Sequence, residues 1–471
     1  MQRNNRYAIL ILAFLYLPVL WVAIVLSTHY QPDQSIFQLI PTLSESISKP
    51  FEVSYSDYTL RFILLFSLFY VVAIAAYYTS EGKRRIGEEH GSASWGTPKI
   101  IQKKYGQDKL SDILLTDKCP LGLDSYQHQR NLNVLVIGGS GSGKTRFYAK
   151  PNLMQCNTSF VVTDPKSELL RSTGHLLEEK GYDIKVFNLI DFTRSDGYNP
   201  FRYIRDDKDV IKLISNLIAN TTPNTASHHD PFWEKAETAL LQALMYYLIY
   251  EAPKHEQNFG MVMTMLSFAK ASEEDEKYES ALDLLFKFLE RGNPEHLAVK
   301  QYKVYKQAAG KTAKSILISL AVRLAAFNLT QIRQITSYDE MDIKSLGERK
   351  TAIFAVIPDN DTSFNYLVGM LYTQIFTELY YQADHMHNGR LPVPVHFIMD
   401  EFANVALPES FDKCLSTMRS RSISASIIVQ NLAQLKGLFK STHSAWETIT
   451  GNCDSLLYLG GNEQSTHEVR T

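Results

Sequence analysis

Residues 131–145 read NLNVLVIGGSGSGKT, a short apolar run that leads directly into a glycine-rich segment ending in lysine and threonine. The segment fits the pattern G-x4-GK[ST]. In this pattern glycines let backbone amides face phosphate oxygens, the lysine reaches the β and γ phosphates, and the hydroxyl ligates Mg²⁺. The sequence therefore predicts a phosphate-binding loop between a strand and a helix. Its members are Gly138, Gly139, Ser140, Gly141, Ser142, Gly143, Lys144 and Thr145.

Two other apolar segments end in polar residues of the kind that nucleotide hydrolysis requires. Residues 394–401 read PVHFIMDE, and residues 423–430 read ISASIIVQ. We expect Asp400 to hold Mg²⁺ through its water shell and Glu401 to activate the attacking water as a general base. We expect Gln430, at the carboxyl edge of the sheet, to sense the γ-phosphate or its water. Together with the loop, these residues predict an ATPase that uses Mg²⁺.

The distribution of further apolar segments indicates the fold class. Companion strands are predicted at residues 160–164, 184–188, 351–357 and 455–459. Short strands alternating with helices favour an α/β fold with a mainly parallel, doubly wound sheet. The separation between Lys144 and Asp400 is much longer than a simple nucleotide-binding core needs, and helical patterns fill the stretch from 206 to 337. This stretch is therefore predicted to be an inserted all-α domain.

The N-terminal region carries two apolar segments, at residues 7–28 and 59–78. The first has no charged residue, and the second has only Arg61, near one end. A helix of about 20 apolar residues is long enough to span a bilayer. The alternatives are a signal peptide for the first segment, which is longer than such signals usually are, and two buried core helices for the pair. Two transmembrane helices remain the favoured interpretation.

The basic residues around these segments predict their orientation. Arg3 and Arg6 precede the first segment, and Lys83 begins a basic run after the second. Lys49 is the only lysine or arginine in the connecting loop at 29–58. By the positive-inside rule, both ends of this two-pass anchor face the cytoplasm. The predicted organisation is an anchor at 1–82, a first nucleotide-domain part at 83–205, an all-α insertion at 206–337, and a second nucleotide-domain part at 338–471. We expect this last part to be C-terminally incomplete.

Composition excludes several other classes of protein. The 471 residues include 48 Lys+Arg and 50 Asp+Glu, with 45% hydrophobic residues. This excludes a disordered chain and a protein that coats duplex DNA through bulk charge, so any contact with nucleic acid must be local. The 4 cysteines form no CxxC pair, and the 13 histidines have no partners at metal-ligand spacing. We therefore expect reduced thiols and no Cys/His metal site.

The motifs together resemble the VirD4/TraG family of type IV secretion coupling proteins, the membrane-anchored ATPases of bacterial conjugation. The resemblance is carried by HGSASW at 90–95, VTDPKSE at 162–168, DPFWE at 230–234, IMDEF at 398–402 and IVQNLAQ at 428–434. Two positions differ from the family pattern, with Ser94 where arginine is usual and Ser167 where glycine is usual. The resemblance covers the two apolar segments and most of the body.

This resemblance implies a RecA-like P-loop NTPase core that assembles as a homo-hexamer, with ATP at each subunit interface. A neighbouring subunit would complete the site with an arginine, for which Arg419 and Arg421 are candidates and Arg421 is preferred. A solvated helix end explains these arginines nearly as well. The implied partners are a relaxase bound to single-stranded DNA, the type IV secretion channel proteins and the bacterial cell membrane.

Two alternative functions remain open at this point. An FtsK-like duplex DNA translocase shares the motor core. The large all-α region and the FW pair within DPFWE at 230–234 favour a coupling protein. A nucleotide-switched membrane receptor for protein cargo belongs to a different class. Such a switch has less need of the hydrolytic pair Glu401 and Gln430.

Overall fold

The computed structural model describes residues 4–32, 39, 46–47, 50–51, 53–81, 96–108, 112–222, 231–272, 278–308, 310–408, 411–439 and 445–461. The chain divides into two compact units, Met1–Trp95 and Gly96–Thr471. The HGSASW motif at 90–95 lies outside the described residues, as does the basic run that begins at Lys83.

The first unit contains two long helices, α1 (Asn4–His29) and α2 (Thr59–Glu81). Their windows Leu12–His29 and Thr59–Tyr77 have mean hydropathies of 1.9 and 2.2, and only 22% and 11% of these windows are buried in this unit. By length and composition, both helices are able to cross a membrane. The structure thus places helices where the sequence predicts them.

Polar side chains on α1 and α2 hydrogen-bond to one another. The Tyr70 hydroxyl donates to the carbonyl of Leu12 at 2.7 Å, and the hydroxyls of Ser27 and Thr59 are 2.8 Å apart. Hydroxyl groups have no water partner in hydrocarbon. Their hydrogen bonds between helices therefore lower the free-energy cost of placing them in an apolar environment. The two helices are therefore held together by polar contacts as well as by apolar packing.

The second unit is built on a parallel sheet of seven strands in the order β5-β6-β4-β7-β8-β3-β9. The strands are β3 (Val134–Ile137), β4 (Ser159–Thr163), β5 (Asp183–Asn188), β6 (Thr351–Val356), β7 (Val395–Met399), β8 (Ile423–Val429) and β9 (Ser455–Tyr458). A separate antiparallel hairpin pairs β1 (Asp112–Thr116) with β2 (Cys119–Gly122). The predicted mainly parallel α/β sheet is confirmed.

Helices cover both faces of this sheet. The α-helices of the second unit, among the described residues, are α3 (Pro98–Tyr105), α4 (Ser125–His128), α5 (Lys150–Met154), α6 (Glu168–Glu179), α7 (Asp207–Thr221), α8 (Pro231–Glu251), α9 (Phe259–Ser267), α10 (Ala281–Gly292), α11 (Leu297–Lys306), α12 (Gly310–Arg323), α13 (Thr330–Ile335), α14 (Asn365–Tyr381), α15 (Phe411–Thr417), α16 (Leu432–Leu438) and α17 (Ala445–Gly451). Alternate strand residues enter different cores: Phe397 belongs to one core and Ile398 to the other. The sheet is therefore doubly wound.

The stretch from 206 to 337 contributes helices α7 to α13 and no strand among its described residues. Asp206 starts α7 by accepting hydrogen bonds from two backbone amides, and Ser280 and Asp283 form a capping box at the start of α10. Leu213 and Leu244 from these helices share a hydrophobic core with Phe397 of the sheet. The helices thus pack continuously with the sheet, and the predicted domain boundaries stay a prediction.

A buried polar chain crosses the sheet beneath the phosphate-binding loop. His396 on β7 hydrogen-bonds through Nδ1 to Ser424 Oγ at 2.6 Å and through Nε2 to Ser426 Oγ at 2.8 Å. The hydroxyls of Ser426 and Tyr148 are 2.6 Å apart, and Tyr148 lies on the helix that follows the loop. Burial lowers the pKa of His396 to about 4, so the ring is neutral at pH 7.

His396 makes the stability of the protein depend on pH. Its pKa is below the ordinary value of 6.5, so the unfolded chain binds the extra proton first as pH falls. The stabilisation is complete above 6.5 and is lost as pH falls toward about 4, by up to about 3 kcal/mol. We expect the apparent unfolding temperature of the full chain in detergent to fall more steeply between about pH 7 and pH 5 than that of His396→Asn. Equal slopes would remove His396 from this dependence.

Candidate functional site

The parallel sheet gathers the predicted site residues at its carboxyl edge. Ile137 is paired with Val429, and Met399 is paired with Ile427. The loop after β3, the acidic pair after β7 and Gln430 after β8 therefore emerge at the same edge. Residues that are far apart in sequence become neighbours because the strands run in one direction.

The phosphate-binding loop has the backbone geometry that its glycines permit. Gly141 and Gly143 have φ values of 76° and 86°, in the left-handed region that favours glycine. A Cβ on Gly143 would come within 2.3 Å of the Phe147 ring. The chain then enters a helix, which begins as a π-helix over Lys144–Ala149 and continues as α5. The predicted strand, loop and helix thus follow one another as expected.

Lys144 brings a buried positive charge into the loop. Its side chain is 7% exposed, and its ammonium donates to the carbonyls of Gly138 at 2.7 Å and Gly139 at 3.1 Å. The hydroxyl oxygen of Ser142 is buried and has no hydrogen-bond partner. A buried polar atom without a partner is costly, and an anionic oxygen bound in the loop offers it one. The loop therefore fits a phosphate group.

Thr145 and Asp400 meet where the loop helix passes the end of β7. The Thr145 hydroxyl donates to the Asp400 carboxylate at 2.6 Å. Burial, together with the neighbouring charge of Glu401, raises the pKa of Asp400. The ionised form of Asp400 is therefore destabilised, and a bound divalent cation would stabilise it.

These two oxygens suit Mg²⁺, which prefers few protein ligands together with phosphate oxygens and water. In the described part of the chain, no group of three or more His, Cys, Asp or Glu side chains could hold a metal by itself. A cation at Thr145 and Asp400 therefore needs ligands from outside the protein. Phosphate oxygens bound in the adjacent loop are in a position to supply them.

Glu401 follows Asp400 in an uncommon backbone conformation. Its φ is 51°, in the left-handed region that non-glycine residues seldom adopt, and its amide donates to the Asp400 carboxylate at 3.1 Å. The side-chain amide of Gln430 donates to the Glu401 carboxylate at 3.2 Å. The structure thus brings Glu401 and Gln430, which follow different strands, into direct contact. Strain of this kind is common at functional sites.

The turn after β4, within the VTDPKSE segment at 162–168, emerges at the same edge of the sheet as these residues. Asp164 starts the following helix by accepting from the amides of Leu169 and Leu170, and burial raises its pKa. Lys166 and Ser167 have φ values of 76° and 57°. Glycine adopts this conformation without strain, which gives a physical reason for glycine at position 167 in the family pattern.

Arg421 lies at the opposite edge of the sheet from the phosphate-binding loop. The turn Arg419–Arg421 precedes β8, whereas Gln430 follows it. Two nitrogens of Arg421 donate to the Asp384 carboxylate at 2.8 Å each, and its guanidinium lies over the Tyr380 ring. Arg419 donates to the carbonyl of Ser125 at 2.9 Å. The structure does not bring either arginine to the site of its own chain.

A cleft of about 890 Å³ lies between α7 and α14, away from the loop residues. Arg205 and Lys212 line one side, and Tyr380 and Asp384, the partners of Arg421, line the other. Both kinds of charge are present and mostly paired, as in the contact of Arg205 with Asp209. The cleft is therefore separate from the phosphate-binding site.

Comparison with known proteins gives matches along most of the chain. The family model described as type IV secretory system conjugative DNA transfer matches residues 97–469. A conjugal transfer protein TraG of Escherichia coli is 23% identical over 419 residues, covering 81% of this chain and 63% of that protein. A conjugal transfer protein TraG of Rhizobium radiobacter is 20% identical over 325 residues, covering 66% of this chain and 48% of that protein. The chain thus spans only part of the length of these relatives.

Solved structures of the plasmid coupling protein TrwB have a similar fold. The complex of TrwB with the non-hydrolysable ATP analogue ADPNP matches with a TM-score of 0.58 at 16% identity, over 80% of this chain and 81% of that chain. The complex of TrwB with ADP and Mg²⁺ matches with a TM-score of 0.56 at 18% identity, over 80% of each chain. The similarity concerns the arrangement of the sheet and its helices.

Proposed function

This chain belongs to the type IV secretory system conjugative DNA transfer family, and we propose that it is a membrane-anchored ATPase that couples a relaxase bound to single-stranded DNA to a secretion channel. The observation that carries the ATPase proposal is the cluster of Thr145, Asp400, Glu401 and Gln430 beside the phosphate-binding loop. The DNA, relaxase and channel partners are supported by family membership and by relatives that are conjugal transfer proteins.

The loop Gly138–Thr145 would hold the phosphates, with backbone amides and Lys144 opposing their charge. Thr145 and Asp400 would hold Mg²⁺, which supplies positive charge to the β and γ phosphates when bound. Glu401 would accept a proton from the attacking water, while Gln430 fixes the position of its carboxylate. The fold is that of TrwB, which has been solved with ADP and Mg²⁺.

The assignment of Glu401 predicts a separation of binding from hydrolysis. Glu401→Gln keeps the shape and a hydrogen-bonding oxygen but removes the base, so we expect phosphate release to fall by about 10²–10⁴-fold. Affinity for a fluorescent ATP analogue should change by no more than about twofold, because the loop contacts remain. Both quantities are measured on the full chain in detergent. Lys144→Ala is the matched control and should weaken nucleotide binding.

Two outcomes of that experiment would contradict the assignment. Hydrolysis at the wild-type rate in Glu401→Gln would exclude this residue as the base. Nucleotide binding by the wild type without turnover, with and without single-stranded DNA, would favour the nucleotide-switched receptor over an ATPase.

We also propose that the active form is a homo-hexamer in which Arg421 reaches the nucleotide of a neighbouring subunit. Its position at the edge of the sheet opposite its own phosphate-binding loop supports this role. The arginine must then leave Asp384, with which it forms a partly exposed ion pair. A phosphate oxygen of the neighbouring nucleotide would replace this carboxylate as the acceptor and so offset the loss of the pair.

A mixing experiment tests the role of Arg421 across the interface. Arg421→Ala and Lys144→Ala chains should each be nearly inactive, but mixtures should recover part of the ATPase activity. Recovery is expected because some interfaces pair an intact loop with an intact arginine. Asp384→Asn is the control, since it breaks the ion pair but keeps the arginine, and it should stay active. If no mixture recovers activity, Arg421 does not act in trans.

For the membrane anchor we propose that α1 and α2 span the bilayer with both termini in the cytoplasm. Ser54→Cys, in the connecting loop, should react with a membrane-impermeant maleimide in intact cells, whereas Thr97→Cys should react only after permeabilisation. Each variant is compared with the wild type, whose four cysteines all lie C-terminal to the anchor. The opposite labelling pattern would reverse the orientation.

A further inference from the structure

Lys166 reaches the same edge of the sheet as the hydrolytic residues. Strands β4 and β7 are parallel neighbours, with Thr163 paired to Met399. The turn that carries Lys166 therefore emerges beside Asp400 and Glu401. On the other side of β4 lies β6, and the segment after β6 carries Asp359.

The backbone of the turn that carries Lys166 is strained. Both Lys166 and the next residue, Ser167, have positive φ values, which is unfavourable for residues with a Cβ. The guanidinium of Arg171 fixes the turn by donating to the carbonyls of Lys166 and Ser167. Strained backbone that is held in place by specific contacts is characteristic of sites with a function. The Lys166 side chain is 66% exposed.

The Lys166 ammonium is held by a contact that is easily exchanged. It lies 3.0 Å from the Asp359 carboxylate, which is itself 43% exposed. The hydrogen bond to Asp359 is the main cause of the raised pKa of Lys166, and the charge of Glu401 adds to it. A solvent-exposed ion pair of this kind contributes little to stability. A phosphate oxygen with more negative charge is therefore able to compete for the lysine.

Lys144 and Lys166 lie on different sides of the acidic pair Asp400 and Glu401. Lys144 is buried in the loop, whereas Lys166 stands on the far side of Asp400 and Glu401. A nucleoside triphosphate carries one more phosphate than ADP, and Lys166 would be the cation available to that phosphate on the side of Asp400 and Glu401 away from the loop.

We propose that Lys166 binds the γ-phosphate in its own subunit, leaving Asp359 when a nucleoside triphosphate occupies the loop and returning to Asp359 when the diphosphate remains. The inference rests on the proposed nucleotide function and deepens it, because it makes this ion pair the element that distinguishes ATP from ADP. Lys166 would then supply a cation in cis, in addition to the arginine proposed to come from a neighbouring subunit.

The test compares affinities for two fluorescent ligands, a non-hydrolysable ATP analogue and ADP, on the full chain in detergent with Mg²⁺. Lys166→Ala should weaken binding of the triphosphate by about tenfold and change ADP binding by no more than about twofold. Lys166→Arg should keep most of the triphosphate affinity. Asp359→Asn should raise triphosphate affinity, because it removes a carboxylate that competes for the lysine and repels the phosphate.

Lys180→Ala serves as the matched control, since it removes the same charge just after the far end of α6 and should leave both affinities unchanged. ADP binding by Lys166→Ala also reports that the variant is folded. Equal loss of both ligands in Lys166→Ala, or loss of neither, would overturn the role of Lys166. A wild type that binds neither ligand would instead overturn the proposed nucleotide function, and this inference with it.

Discussion

The candidate site depends on the parallel direction of the seven strands. Because every carboxyl end lies at one edge, residues from β3, β4, β7 and β8 meet there without any long-range sequence signal. The hydrogen bond between Thr145 and Asp400 joins positions 255 residues apart. An antiparallel β7 would place Asp400 and Glu401 at the other edge, and the two proposed Mg²⁺ ligands, Thr145 and Asp400, would be separated.

Much of this arrangement could be predicted from local patterns. The loop carries a motif with a specific mechanism, and apolar runs ending in Asp400, Glu401 or Gln430 indicate both the strands and their functional ends. The pairing order of the strands could not be read in the same way, because every strand has a similar apolar composition. The contact of Glu401 with Gln430 follows from that order.

Contacts that depend on backbone dihedral angles also could not be predicted from the sequence. The residues of the motif at 162–168 indicate family membership, but they do not indicate that Lys166 adopts a positive φ or forms an ion pair with Asp359. The hydrogen-bond partners of His396 could not be predicted for a different reason. An isolated histidine in an apolar strand has no local sign of its partners, since both serines come from a neighbouring strand. Such features need the register of the sheet, which only the tertiary structure provides.

Rigid and strained elements have different locations around the site. The buried chain through His396 lies below the loop, where its complete hydrogen bonding favours a single arrangement. Strained residues lie above it, at Glu401 and in the Lys166 turn, where a ligand would make contact. Helix α14 begins shortly after Asp359 at this edge and ends beside Tyr380, under Arg421, at the other. One continuous helix therefore joins the edge of the sheet that carries the phosphate-binding loop to the edge that carries Arg419 and Arg421.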